Sequence, residues 1–339
     1  MQRWLRKEGD PTQILNHAPV ALNPHIKTML SFATVVEIFL MKRNKLIYVG
    51  GPTCSGKTKL SVLLAETFNT DIISCDSRQI YKEISIGTAK PSKNHLKKVK
   101  HHFINHVSIH ENYNVGIYNS ETNKMLESIF KTKDTVILVG GTGLYADSII
   151  NGIDKFPIIK NSVKDKLNLI YKIQGIEKLN LMLKKYDPEY YKIVDKKNSR
   201  RVIRALEVCL SSGKPFISFL KKVRKNTLFE PKILLMNPER KELYKKINSR
   251  VDKMISLGLE KEAKSLFKYK HLNSLQTVGY REFFNYFEGK CSYKNAIEEI
   301  KKNTRRYAKR QITWNKKYKD FFLVNEDYKL DEIIKFIGN

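Results

Sequence analysis

Residues 46–61 read LIYVGGPTCSGKTKLS, an apolar run that leads directly into glycines, a lysine and a threonine. Gly51, Gly56, Lys57 and Thr58 satisfy G-x-x-x-x-G-K-[ST] at full spacing. Glycines let successive backbone N–H groups curl round a di- or triphosphate. The helix starting near Lys57 turns its positive dipole end to the same anion, and the lysine adds a mobile cation. Gly51, Pro52, Thr53, Cys54, Ser55, Gly56, Lys57 and Thr58 are therefore read as a phosphate-binding loop, with Thr58 placed to hold a magnesium ion. The competing reading is a chance glycine turn. The apolar LIYV before it and the amphipathic KLSVLLAETF after it favour strand, loop and helix instead.

Outward from the loop, a helix over about residues 57–68 ends at Asn69-Thr70, and DIISC starts a second strand that stops at Asp76. The three pieces read as a compact βαβ unit. TVILVGG (135–141) and KILLMN (232–237) read as further buried strands. In an open parallel sheet ligands lie beyond the carboxyl ends of the strands, so Asp76, Ser77, Arg78, Gln79 and Thr142 should face the phosphate. Residues 155–228 are lysine-rich and helical in pattern, and from Pro238 onward the pattern is helical throughout. The expected fold is α/β: a P-loop NTPase-like parallel sheet flanked by helices, built from 41–154 and 229–339, with an inserted all-helical domain at 155–228. Residues 1–40 are read as an extension ahead of Met41, disordered or an artefact of start-site choice.

Lysine and arginine outnumber aspartate and glutamate by 63 to 34, a formal charge of +29 that favours a polyanionic partner. A lysine-biased composition alone would scatter such charge, so clustering decides. Cys54, Cys75, Cys209 and Cys291 are far apart and include no C-x-x-C, which fits a reducing cytoplasm rather than a zinc knuckle or disulfide framework. MLSFATVVEIFLM (29–41) is too short for a membrane span and carries Glu37. No membrane role is expected.

The strand that should carry an ATPase's acid ends instead in Gly140-Gly141-Thr142-Gly143, glycines that make room for something to pass close to the backbone. The acid appears one strand over, at Asp76, where it is either a functional carboxylate or a helix N-cap. IKKNTRRYAKRQITWNKKYK (300–319) holds nine cations and no acid, with Ile300, Tyr307 and Trp314 seven residues apart and Thr304 and Gln311 between them. One seam can pack while the flanks stay cationic, an arrangement suited to a nucleic-acid backbone. Arg200, Arg201 and Arg204 can share one flank of a second helix. HHFINHVSIH groups His101, His102, His106 and His110, but no cysteine or ordered carboxylate completes a metal site, and a packed role is favoured.

With GPTCSGKT, DSRQIYKEISIGTAKPS, HHFINHVS, GGTGLY, RRVIRALEV, RVDKMISLGLEKEA, TVGYRE and TRRYAKRQITW in collinear order between about residues 45 and 318, the chain resembles the bacterial-type tRNA dimethylallyltransferases (tRNA isopentenyltransferases). The resemblance implies a phosphate loop that holds dimethylallyl diphosphate with Mg2+. It implies transfer of the dimethylallyl group to the exocyclic amine of the adenosine 3′-adjacent to the anticodon, on the anticodon stem-loop of tRNA. Asp76 then corresponds to the catalytic aspartate and Thr142 to a threonine contacting the target nucleotide. The tRNA-contacting positions it implies are Asp76, Ser77, Arg78, Gln79, Thr142, Lys164, Arg200, Arg201, Val202, Ile203, Arg204, Gln276, Thr277, Val278, Gly279, Tyr280 and Arg281. Departures are Cys54 for a small residue, Tyr191 where alanine is common, and Asn315 where an aromatic is typical. The last is expected to weaken one tRNA contact. The zinc finger of many eukaryotic members is not seen, which favours a bacterial or organellar setting, and a monomer suffices for the chemistry.

Two rivals stay open on sequence: a P-loop kinase using ATP, and a non-enzymatic RNA-binding or nucleotide-sensing module. Asp76→Ala separates them, since a pure binder should tolerate it.

Overall fold

A computed structural model describes residues 44–220 and 228–338, so the readings made for residues 1–40 lie outside it. In chain order the elements are β1 (Lys45–Gly50), α1 (Lys57–Thr67), β2 (Ile72–Ser74), α2 (Lys93–Lys98), β3 (His101–His102), α3 (Val115–Ile129), β4 (Thr135–Val139), α4 (Gly143–Ile150), α5 (Asn161–Tyr186), α6 (Pro188–Ile193), α7 (Ser199–Ser212), β5 (Glu230–Met236), α8 (Arg240–Ser256), α9 (Leu259–Ser265), α10 (Tyr280–Phe287), α11 (Tyr293–Asn315), β6 (Phe322–Val324) and α12 (Leu330–Gly338).

The described strands form one parallel sheet in the order β3-β2-β4-β1-β5-β6. Alternation along β1 explains why LIYV is apolar at every position. Leu46 and Tyr48 enter a core with Leu138, Tyr118 and Phe283, whereas Ile47 and Val49 enter another with Leu60, Ile137 and Ile333. A sheet covered on both faces needs apolar side chains on both. Two sequence readings are corrected. The β1-α1-β2 unit is not a pair of neighbouring strands, because β4 lies between β1 and β2. The region after Pro238 is not purely helical, because β6 joins the edge of the sheet beside β5, Leu234 opposite Phe322. Three residues carry too little periodicity to announce a strand.

Between α4 and β5 the helices α5, α6 and α7 enclose their own apolar cluster, including Leu167, Leu179, Leu183, Leu206 and Phe216. Asp187 ties it together: Oδ1 accepts from the Tyr190 amide that starts α6, at 2.9 Å, and Oδ2 from the Ile217 amide, at 2.8 Å. Asn198 caps α7, and Gly213, at φ 70°, ends it.

Candidate active site

Adjacent strand ends build the site. β1 delivers the glycine loop, β2 delivers Asp76 and β4 delivers Gly141 and Thr142, all at the carboxyl edge of the sheet. The loop turns through Gly51 at φ 134°, Cys54 at φ 65° and Gly56 at φ 92°, the last capping α1. Lys57 Nζ donates to the carbonyls of Gly51 at 3.0 Å and Pro52 at 2.6 Å. Burial, and next the charge of Arg250, push its pKa down to about 8.

Asp76 sits at the end of β2 as a cap that also faces open space. Its Oδ1 accepts from the amides of Arg78 at 2.9 Å and Gln79 at 3.3 Å, capping the turn that follows. Its side chain also lines two cavities. Thr142 Oγ1 accepts from the Ser77 amide at 2.9 Å and donates to Ser77 Oγ at 3.0 Å, locking the two strand ends side by side. Arg78 is anchored through Nη1 to the carbonyls of Asn273 and Ser274, and Gln79 Nε2 donates to those of Thr88 and Ala89.

One cavity, about 370 Å³, is walled by the phosphate loop from Thr53 to Thr58, with Lys246 and Arg250. A second, about 470 Å³, is walled by Ser77, Arg78, Thr142, Leu144, Gln276–Gly279, Arg281, Arg310 and Trp314. Thr53, Asp76, Thr88, Ala89, Gly141, Arg250, Tyr307 and Gln311 line both, so the two spaces adjoin along a wall that includes Asp76. In the first, Lys57 and Arg250 outweigh Asp76, which suits a polyanion. Thr58 offers a hard oxygen donor there, and the buried Ser55 Oγ has no hydrogen-bond partner. That set fits magnesium, which takes one or two side-chain oxygens and completes its shell with phosphate oxygens and water.

The glycines after β4 do make room, but for protein. A Cβ on Gly141 would lie 2.4 Å from Gln311 Nε2, and one on Gly143 would lie 2.2 Å from Trp314 Cδ1. Helix α11 presses its seam onto the turn, with Tyr307 Oη donating to the Gly141 carbonyl at 3.0 Å. Its cations are also less uncompensated than the string suggests. Lys301 pairs with Asp252 and Glu298, Lys302 with Glu299, and Lys317 with Asp147. Arg306, Lys309, Arg310, Lys316 and Lys319 remain exposed.

Other expected contacts divide. Arg200 and Arg201 are exposed on α7, and Lys164 and Ile203 are partly so. Val202 is fully buried in the helical cluster and cannot touch RNA. Arg204 is drawn to Glu207 and lies over the Phe156 ring. Tyr280 is fully buried too, and its hydroxyl donates to Glu262. That glutamate also accepts from the amides of Ser85, Ile86 and Gly87, so Tyr280 braces a wall of the site from behind. Asn315 is buried, which removes it as a direct RNA contact. Three of the four clustered histidines are engaged elsewhere, His102 with Asp71, His106 with Glu121 and His110 edge-on to Tyr269, whereas His101 bonds the Val99 carbonyl through Nδ1 and lines the phosphate-loop cavity with its buried Nε2 unpartnered.

Sequence reasoning missed Arg250 and Glu262 as site residues. Arg250 Nη1 donates to Thr53 Oγ1 at 2.9 Å and approaches Cys54 Sγ at 3.3 Å. The available signal was weak, a single arginine flanked on α8 by the buried Ile247 and Val251.

The family model described as IPP transferase matches residues 79–318. The tRNA dimethylallyltransferase of Flavobacterium johnsoniae is 47% identical over 298 residues, covering 86% of this chain and 96% of its own. Among solved structures, the full-length tRNA isopentenylpyrophosphate transferase of Bacillus halodurans aligns with TM-score 0.63 and 33% identity, over 87% of this chain and 95% of its own. A eukaryotic dimethylallyltransferase acting on tRNA aligns with TM-score 0.73 and 28% identity, over 83% of this chain and 74% of its own. Among the described residues no helix is long and apolar enough to cross a membrane.

Proposed function

The chain belongs to the IPP transferase family, and from that premise we propose that it transfers a dimethylallyl group from dimethylallyl diphosphate to tRNA. The acceptor is the exocyclic amine of the adenosine 3′-adjacent to the anticodon, and the product is N6-isopentenyladenosine. One observation carries this reading: the polyanion cavity and the larger cavity beside it share a wall that includes Asp76. A donor held by its diphosphate in the first and a base entering through the second would meet beside a carboxylate.

The loop amides, Lys57 and Arg250 bind the diphosphate and absorb the negative charge that grows on it as the allylic C–O bond breaks. Thr58 would hold magnesium, which as a Lewis acid would neutralise further charge on the leaving group. Adenine's exocyclic amine is a poor nucleophile because its lone pair is delocalised into the ring. As nitrogen bonds to the allylic carbon, Asp76 takes the amine proton on its second oxygen, while Oδ1 stays bonded to the turn it caps. Thr142, held by Ser77, and Arg78, held by two carbonyls, position the base. Single-stranded loop geometry makes extruding that base inexpensive. The exposed cations of α11 and α7 supply backbone contacts. A cytoplasmic setting accords with the free cysteines, and a monomer suffices for the chemistry.

The test is to mix purified protein and tRNA with labelled dimethylallyl diphosphate or with labelled ATP. Prenyl incorporation without ATP is expected. Phosphorylated product, or no transfer from the prenyl donor, would overturn the reading.

A further inference from the structure

Gln311 belongs to the basic terminal helix, yet it is 7% exposed and turned away from solvent. Its side-chain oxygen accepts from the Thr53 amide at 2.7 Å, and its nitrogen donates to the Gly141 carbonyl at 2.9 Å. The first partner lies in the phosphate loop after β1; the second lies in the turn after β4, one residue before Thr142. The same side chain lines both cavities. A primary amide is the group that can accept on one side and donate on the other in a single plane. Gly141 is glycine where that contact is made, since a Cβ there would collide with the Gln311 amide.

We propose that Gln311 is a positioning residue for the transfer: it holds the donor loop in register with the Asp76–Thr142 strand ends across the junction where the bond forms. This rests on the prenyl-transfer reading above. Among the described residues of α11, Gln311 bonds the loop and the turn together, whereas Tyr307 reaches the turn alone. Arg306, Lys309 and Arg310 stand exposed on the same helix, so the element that carries the strut also carries the cations that face RNA, while Gln311 itself stays buried. Losing it should leave RNA docking intact and let the diphosphate sit out of line with the amine. A displacement of about 1 Å can cost a reaction on the order of 100-fold.

Gln311→Met keeps volume and removes both hydrogen bonds. Steady-state transfer with a tRNA transcript and dimethylallyl diphosphate should show kcat reduced about 10-fold or more, with tRNA Kd within about 2-fold of wild type. The affinity for inorganic diphosphate should fall as well. Unchanged kcat and unchanged diphosphate affinity in a folded variant would overturn the proposal. If the variant does not fold, hydrogen exchange on the wild-type protein decides: a Thr53 amide held by Gln311 exchanges slowly, and exchange at the free-peptide rate would refute the strut. Wild-type protein assayed in parallel separates the outcomes, because absence of transfer there sinks the functional reading and not the role of Gln311.

Discussion

Lys57 Nζ lies 2.6 Å from the carbonyl oxygen of Pro52, within its own phosphate loop. Burial and the neighbouring Arg250 hold its pKa near 8, against an ordinary 10.5. A bound diphosphate favours the charged ammonium, so affinity for inorganic diphosphate should fall as pH rises through about 8 and binding there should take up a proton. Titration calorimetry in two buffers of different ionisation enthalpy measures that uptake, which Lys57→Met should abolish. Stability runs the opposite way in the ligand-free protein. The unfolded chain holds this proton more tightly, so the group makes the fold more stable as pH rises from about 8 towards 10.5.

Arg250 grips Thr53 and Cys54 from α8. Arg250→Ala should raise the KM for dimethylallyl diphosphate about 10- to 100-fold, the loss expected for a charge-assisted bond, and leave tRNA affinity unchanged. Arg250→Lys should recover only part, since an ammonium lacks the planar fork. Steady-state kinetics with each substrate varied in turn measures both.

Gly143 meets the edge of Trp314 so closely that a methyl group would fall 2.2 Å from Cδ1. Gly143→Ala should therefore cost about 1–3 kcal/mol by overpacking, read as a lower denaturation midpoint at constant m-value. Activity should fall with it, because α11 would be pushed off the turn that carries Thr142.

On α7, adjacent residues should part company. Val202→Ala should destabilise the fold by about 2 kcal/mol and leave the salt dependence of tRNA binding unchanged. The double variant Arg200→Ala, Arg201→Ala should melt like wild type and flatten the plot of log affinity against log salt by up to about 2 units.

Much of this was legible in the string. The loop, the strands at 46–49 and 135–139, and the place of Asp76 and Thr142 followed from local pattern, because loop geometry and strand-end placement are short-range properties. What was not legible is set by distance along the chain. Nothing local says that β4 inserts between β1 and β2, or that Asp252 and Asp147 neutralise Lys301 and Lys317. The string RRVIR shows a basic cluster, but only the fold shows Val202 facing the core and Arg204 tied to Glu207. The glycines of GGTG were rightly read as making room. Which group fills it, the seam of a helix 166 to 170 residues later, needed the tertiary structure.

The central claim, that Asp76 is the base for prenyl transfer, is tested most directly by Asp76→Asn. Alanine would also remove the cap from the Arg78 and Gln79 amides, whereas asparagine keeps an oxygen for them and loses only the basic carboxylate. The measurement is the single-turnover rate of prenyl incorporation into tRNA, with tRNA affinity and thermal midpoint taken on the same protein. The account predicts near wild-type affinity and stability with the rate reduced about 100-fold or more. Transfer by Asp76→Asn at the wild-type rate would contradict it.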